Sequence, residues 1–375
     1  MSISRDAFRR TGRAVAALIL ASITLAAQEP AWKEAAPGRP IVLPADHASH
    51  PDYKLEWWYY TGNLDAADGQ RFGYQITFFR IGVDPAPANP SRWAVRDLYM
   101  THLALTDVSG KRYQFTERVN RAGPGWAGAA TDAYRVWNED WQAALEPGGT
   151  HHLQGKGPRF AIDLRATEDR PAVLHGDRGY SRKGSAAGNA SHYYSLTRMP
   201  TRGTVTLDGR VVDVTGLSWM DHEFGTTFLE PEQIGWDWFS IQLTDGRDLM
   251  IFQLRRADGS IDPRSSGTLV ERDGTTRPIT YESGFLLEPG RRWKSPVSGS
   301  QYPIAWTVRV PRSDLTLAVA AAVDGQELHT EQSTGVTYWE GAVDVTGSIG
   351  GQAVKGRGYL EMTGYSGAPM GHLMR

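Results

Sequence analysis

One pattern occurs twice in this chain. Residues 56–80 read EWWYYTGNLDAADGQRFGYQITFFR, and residues 236–256 read WDWFSIQLTDGRDLMIFQLRR. Each opens on a pair of tryptophans, alternates apolar with polar positions and breaks at Asp-Gly (Asp68-Gly69, Asp245-Gly246). Each then alternates again and reaches an arginine, Arg80 or Arg255. Asp-Gly between two runs of period two specifies a hairpin, because the tight turn needs positive φ and these residues tolerate it. A closing pair follows. Gly216-Leu-Ser-Trp219-Met220-Asp221 aligns with Gly356-Arg-Gly-Tyr359-Leu360-Glu361, each after a Val-rich alternating run. Opening hairpin and closing strand recur in the same order, which is the footprint of two similar β-domains.

The length of 375 residues also exceeds what one core usually serves. The first 28 residues differ from the rest. Arg5, Arg9, Arg10 and Arg13 precede an uncharged, mostly apolar run from Ala14 to Ala27. A basic flank, a short apolar run and small residues at its end read as a cleaved secretory signal, too short to span a bilayer. A periplasmic or secreted protein is expected. The chain has no Cys, which excludes a lipoprotein anchor and leaves core burial to hold the fold. Without residues 1–28, which hold four Arg and one Asp, 36 basic and 41 acidic residues remain, a net charge of −5. That balance gives no basic stripe for nucleic acid, and no later segment is apolar and long enough to cross a membrane.

Residues 29–52 form a proline-rich leader expected to be extended. Short alternating runs then dominate, among them 72–81, 97–106, 158–165, 193–199 and 204–214, and again 236–244, 247–256, 304–310, 314–320 and 337–345. Glycine and proline clusters separate them, and only 139–146 suggests one short helix. The pattern is all-β, a barrel or sandwich in each half, with domains at 53–222 and 223–375.

Chemistry concentrates at the join. Trp219-Met-Asp221-His222-Glu223-Phe224-Gly225 is followed by Gly235-Trp236-Asp237-Trp238. Asp221 beside His222 can set an imidazole for proton transfer near neutral pH, and Trp219, Trp236 and Trp238 can wall a lipophilic site. The competing account is structural, with Asp221 capping the linker and His222 bonding across domains. Strand neighbours alternate in facing, so one Trp of each pair faces inside, and Asp237 points opposite to Trp236 and Trp238. In His192-Tyr-Tyr194-Ser-Leu-Thr-Arg198, the same alternation puts Tyr194, Leu196 and Arg198 on one face, Arg198 being a counter-ion or a barrel-end closure. Tyr338-Trp339-Glu340 is the second-domain counterpart. Gly123-Pro-Gly125-Trp-Ala-Gly128 lacks a strand-then-helix context, so no dinucleotide site is read. Asp46-His47-Ala-Ser-His50 lies in the leader without helical spacing, so neither a metal nor a cofactor is expected.

At Glu56-Trp-Trp-Tyr-Tyr-Thr-Gly62, Tyr193-Tyr-Ser-Leu-Thr-Arg198-Met199, Trp219–Gly225 and Gly235-Trp-Asp237-Trp-Phe239, the chain resembles the AttH / carotenoid 1,2-hydratase (CrtC-like) family. The resemblance runs from about residue 46 onward. It implies two tandem lipocalin-like (calycin) antiparallel β-barrels, in agreement with the internal repeat. It also implies two functions. The AttH branch is exported, accompanies ABC-transporter components and handles lipid. The hydratase branch adds water across a terminal double bond of acyclic carotenoids. Asp221 and His222 fall on the family's Asp-His motif. Phe252 and Gln253 stand where hydratases carry acidic residues, which with the signal sequence favours the AttH side. The expected protein binds a lipid or isoprenoid using Trp58, Tyr194, Arg198, Trp219, Trp236, Trp238 and Trp339. A hydro-lyase using His222, Asp221 and Asp237 is the alternative, and a structural partner of a transporter is the third. Asp221, His222 and Asp237 are expected to cluster at the join. Because the second copy carries Met362 where His222 stands, His222→Ala is expected to spare folding and impair function.

Overall fold

The computed structural model describes residues 31–367 apart from 187 and 228. The signal-sequence reading at 1–28 falls outside the described residues. Among them regular structure is strand throughout, with three single turns of 3-10 helix and no α-helix. Among the described residues no helix is long and apolar enough to cross a membrane.

The first sheet is antiparallel and centred on Leu55–Ala66. On one side lie Arg71–Gly82, Asp97–Asp107 and Arg112–Arg121. On the other lie Arg210–Gly225, Ala190–Leu207, Phe160–Thr167, Thr150–Lys156, Trp141–Glu146, Arg135–Asn138 and Ala127–Ala129. The edge strand Arg112–Arg121 meets the strand next to the other edge, Arg135–Asn138, through side chains. Arg118 donates to the Asn138 carbonyl at 3.1 Å and Asn120 to Asn138 Oδ1 at 2.7 Å, so the sheet is a nearly closed barrel. The expected helix at 139–146 is a turn at 139–140 followed by the strand Trp141–Glu146, in which Trp141 and Ala143 bury one face while Gln142 and Ala144 do not.

The second sheet repeats the plan. Gln233–Leu243 pairs with Asp248–Arg256 across the Asp-Gly turn and with the closing strand Gln352–Met362. Leu55–Ala66 does the same with Arg71–Gly82 and Arg210–Gly225. The chain crosses between sheets after Gly225 and before Gln233. Each barrel interior is filled by side chains, with Trp58, Tyr60, Phe72, Tyr74 and Trp141 in the first and Phe239, Tyr302, Trp306 and Trp339 in the second. The leader is not merely extended. It packs at the Leu55 end of the first barrel, where the Trp58 indole donates to the His47 carbonyl at 2.9 Å.

The repeated glycines have a physical cause. A Cβ on Gly216 would stand 2.1 Å from the Asn63 carbonyl oxygen, and one on Gly356 2.5 Å from that of Gln242. Both sit where the closing strand presses against the opening one. Gly216→Ala is expected to cost about 2 kcal/mol or more, read by urea denaturation. A loss under about 0.5 kcal/mol, typical of a neutral surface change, would contradict this packing.

Candidate active site between the barrels

Alternation along the closing strands decides where the acids go. Asp221 lies between Tyr59 and Ser195 in register, and Glu361 lies between Trp238 and Glu340. These are equivalent positions of the two repeats. Both face the neighbouring barrel, so the duplication brings the Asp221, Glu361 and Glu340 carboxyls to one cleft. Trp57, Tyr59, Phe79, Tyr193, Trp236, Trp238, Phe252 and Leu254 make its walls, with Lys183, His102 and Glu223 also lining it. The cleft encloses about 900 Å³ of atom-free space, counting its open mouth.

The two barrels are tied to each other by side chains. Gln242 of the second barrel donates to the Thr197 and Ser218 carbonyls of the first at 2.7 and 3.0 Å. Arg71 pairs with Asp344 at 2.6 Å and Arg357 with Asp65 at 2.7 Å. A site built on two tied sheets is pre-organised.

Burial dominates the electrostatics. It pushes the Asp221 carboxyl up to about 7, against the hydrogen bonds that Ser195, Tyr193 and Trp219 donate to it. Glu361, which receives the Trp236 indole N–H at 3.1 Å, is raised by burial and by the nearby Asp221 and Glu223. Glu340 is raised well above the usual carboxylate range by burial and by Glu361, and its Oε1 has no hydrogen-bond partner among the described residues. Burial lowers His102 to about 3, so it is neutral. Lys183 pairs with Glu223 at 3.0 Å and lies over the Tyr193 and Phe252 rings at 4.8 and 4.6 Å. The cleft therefore offers protonated carboxyls against aromatic faces, a setting for proton donation to an apolar molecule.

The residues expected from the sequence part company here. Asp221, Trp236 and Trp238 line the cleft, and Trp219 packs edge-on against Trp238 at 6.3 Å. His222 does not join them. As the next residue on the strand it faces into the first barrel, stacked on Trp58 and bonded to Tyr194 at 3.0 Å and Glu56 at 3.0 Å. Asp237 faces into the second barrel, paired with Arg255 at 3.1 Å and accepting from Tyr365 and Gln253. The expected cluster of Asp221, His222 and Asp237 is thus split over three compartments by strand alternation. Trp58 and Tyr194 fill the first barrel and Trp339 fills the second. Arg198 leaves the face of Tyr194, because the register slips between Leu196 and Met199; it binds Asp248 of the second barrel at 2.5 Å. Trp57, Tyr193, Lys183, Glu340 and Glu361 were not singled out as site residues. The register match of Glu361 to Asp221 was the signal that could have found the acid cluster.

A family model described as AttH-like matches residues 34–365. The crystal structure of a protein described as an AttH, from Nitrosomonas europaea, superposes with a TM-score of 0.80 at 34% identity, covering 89% of this chain and 99% of that one. Kievitone hydratase from Nectria haematococca shares the fold at 14% identity, with a TM-score of 0.69 over 89% of this chain and 97% of that one. The dehydratase asqC of Emericella nidulans is 21% identical over 222 residues, 57% of this chain; the match spans 61% of that protein's length.

Asp221 gives the cleft a pH signature. Its folded pKa of about 7 lies above the ordinary 3.8, so its contribution to stability is complete below about pH 4 and lost as pH rises toward 7. Asp221→Asn removes that loss. Relative to the parent, the variant is expected to gain roughly 1–3 kcal/mol between about pH 5 and 8, measured by urea melts across pH. A gap that does not change with pH would contradict the buried, protonated state.

Proposed function

The chain belongs to the AttH-like family, and from that premise we propose that it is a hydro-lyase acting on a largely apolar molecule in the cleft between the barrels. One observation carries this reading: three buried carboxyls with raised pKa face a wall of tryptophan and tyrosine. In the hydration direction, the Asp221 carboxyl gives its proton to an alkene carbon. The cation formed lies against Trp57 and Trp238, whose ring faces stabilise positive charge. Water adds to the cation and its proton returns to the cluster, restoring the carboxyl. Dehydration is the reverse: a protonated hydroxyl leaves as water and an adjacent C–H proton goes to a carboxylate. The hydratase and the dehydratase that share this fold or sequence support the reaction class and say nothing about substrate.

The proposal extends to setting. The N-terminal segment directs export, the substrate is a lipid or isoprenoid, and ABC-transporter components are neighbours. A second reading rests on the apolar lining of the same cleft: a carrier that binds such a molecule without changing it, burial contributing about 0.8 kcal/mol per CH₂.

Incubation with acyclic isoprenoids in ¹⁸O-water, followed by mass spectrometry, separates the two. Label entering product supports the hydro-lyase; a bound but unaltered isoprenoid supports the carrier. Asp221→Asn is expected to lower turnover about 10²-fold or more. His222→Ala is expected to behave oppositely to the sequence-based expectation. It removes a buried partner of Glu56, so stability should fall by about 2–4 kcal/mol while turnover per folded molecule stays within about twofold. Lost turnover in a well-folded His222→Ala would return the chemistry to the barrel interior.

A further inference from the structure

The histidines of the leader, set aside in the sequence for want of helical spacing, meet partners from distant strands. His47 Nε2 and His151 Nε2 reach the same oxygen, Glu168 Oε1, at 3.1 and 2.8 Å. Both imidazoles are fully buried, whereas Glu168 is partly open to solvent. His151 makes a hydrogen bond to Glu168. His47 Nε2 is off the hydrogen-bonding direction and has no hydrogen-bond partner among the described residues. A buried ring nitrogen 3.1 Å from a carboxylate oxygen without a proper bond is an unmet polar group.

The surroundings suit a cation. His47 Nδ1 lies 2.7 Å from the Tyr194 hydroxyl, which also reaches the Asp46 carbonyl at 3.2 Å. His151 Nδ1 lies 2.8 Å from the Tyr60 hydroxyl, which also reaches the Tyr134 hydroxyl at 2.6 Å. Each tyrosine can turn its own hydrogen to that second acceptor and accept Nδ1–H from the imidazole. With a cation bound, both Nε2 atoms would present lone pairs beside Glu168 Oε1, the outer-shell arrangement that metal-binding histidines use.

We propose that His47, His151 and Glu168 bind a transition-metal dication, Zn²⁺ by donor type, tying the leader to the wall of the first barrel. Two imidazoles and a carboxylate are a zinc donor set that leaves a position for water. Ligand atoms around tetrahedral zinc stand roughly 3.3 Å apart; here the three donor atoms lie within 4.8 Å of one another. The neighbouring group His50, Glu56 and His222 is a poorer site, although its donors are as close. Glu56 already accepts from Arg80, Ser49, His50 and His222, and the Arg80 guanidinium at 3.0 Å repels a cation.

The full chain, stripped with a chelator, would be titrated with Zn²⁺ by calorimetry and melted with and without it. Co²⁺ would then be added to read visible d–d absorption. The expected result is one equivalent bound, a melting temperature raised by about 3 °C or more, and a cobalt band of a nitrogen- and oxygen-ligated site. Glu168→Gln should weaken binding about 10-fold or more and keep a cooperative metal-free melt. If that variant does not fold, His47→Gln is the substitute. Glu56→Gln should leave affinity unchanged. No saturable zinc binding by the parent chain overturns the proposal, as does undiminished binding in the folded Glu168 or His47 variant, or a loss that follows Glu56 instead.

Discussion

Two facts about β-structure fix this molecule: side chains alternate along a strand, and the chain carries the same strand twice. Position 221 of one repeat and 361 of the other face across to the partner barrel, so duplication concentrates carboxyl groups in one apolar cleft. Charged carboxylates there would be costly to bury. Acids with raised pKa values avoid that cost by holding protons, and a held proton near neutral pH is what the proposed acid chemistry on an apolar molecule requires.

A carboxylate inside the first barrel shows the contrast. Glu56 is fully buried yet held well below the usual carboxylate range; burial opposes ionisation, but bonds from His222 and His50 and the Arg80 charge outweigh it. Asp237 has Arg255. Both pairs join residues of an opening hairpin, Glu56 standing opposite Arg80 in register. Glu56 is a structural ion. Asp221, Glu340 and Glu361 have no arginine among their hydrogen-bonding or ion-pair partners among the described residues. Glu56 stays charged because two imidazoles and a guanidinium together outweigh its burial, and no such set faces Asp221, Glu340 or Glu361 among the described residues.

Much of the fold was legible. The Asp-Gly turns at 68–69 and 245–246, the Trp pairs and the aligned glycines 216 and 356 announced the duplication because turns and close strand approach are local demands. The site was legible only in part. Asp221, Trp236 and Trp238 were found, since motif and aromatic content mark them. His222 and Asp237 were misplaced because adjacency in sequence is opposition in space on a strand. Arg198 was misplaced by a register slip that no pattern of residue types reveals. The leader histidines needed His151 and Glu168, more than 100 residues away, which only folding supplies. Glu340 and Glu361 became chemically meaningful only once two barrels faced each other.

The central claim is that Asp221 holds its proton near neutrality inside the cleft. Carboxyl ¹³C chemical shifts of aspartate-labelled full chain, followed from pH 3 to 9 and assigned with Asp221→Asn, report that proton directly. A midpoint near 7 for the resonance lost in the variant agrees with the account. A midpoint near the ordinary aspartate value of about 4 would mean an ionised acid at neutral pH, and the cleft could not act as described.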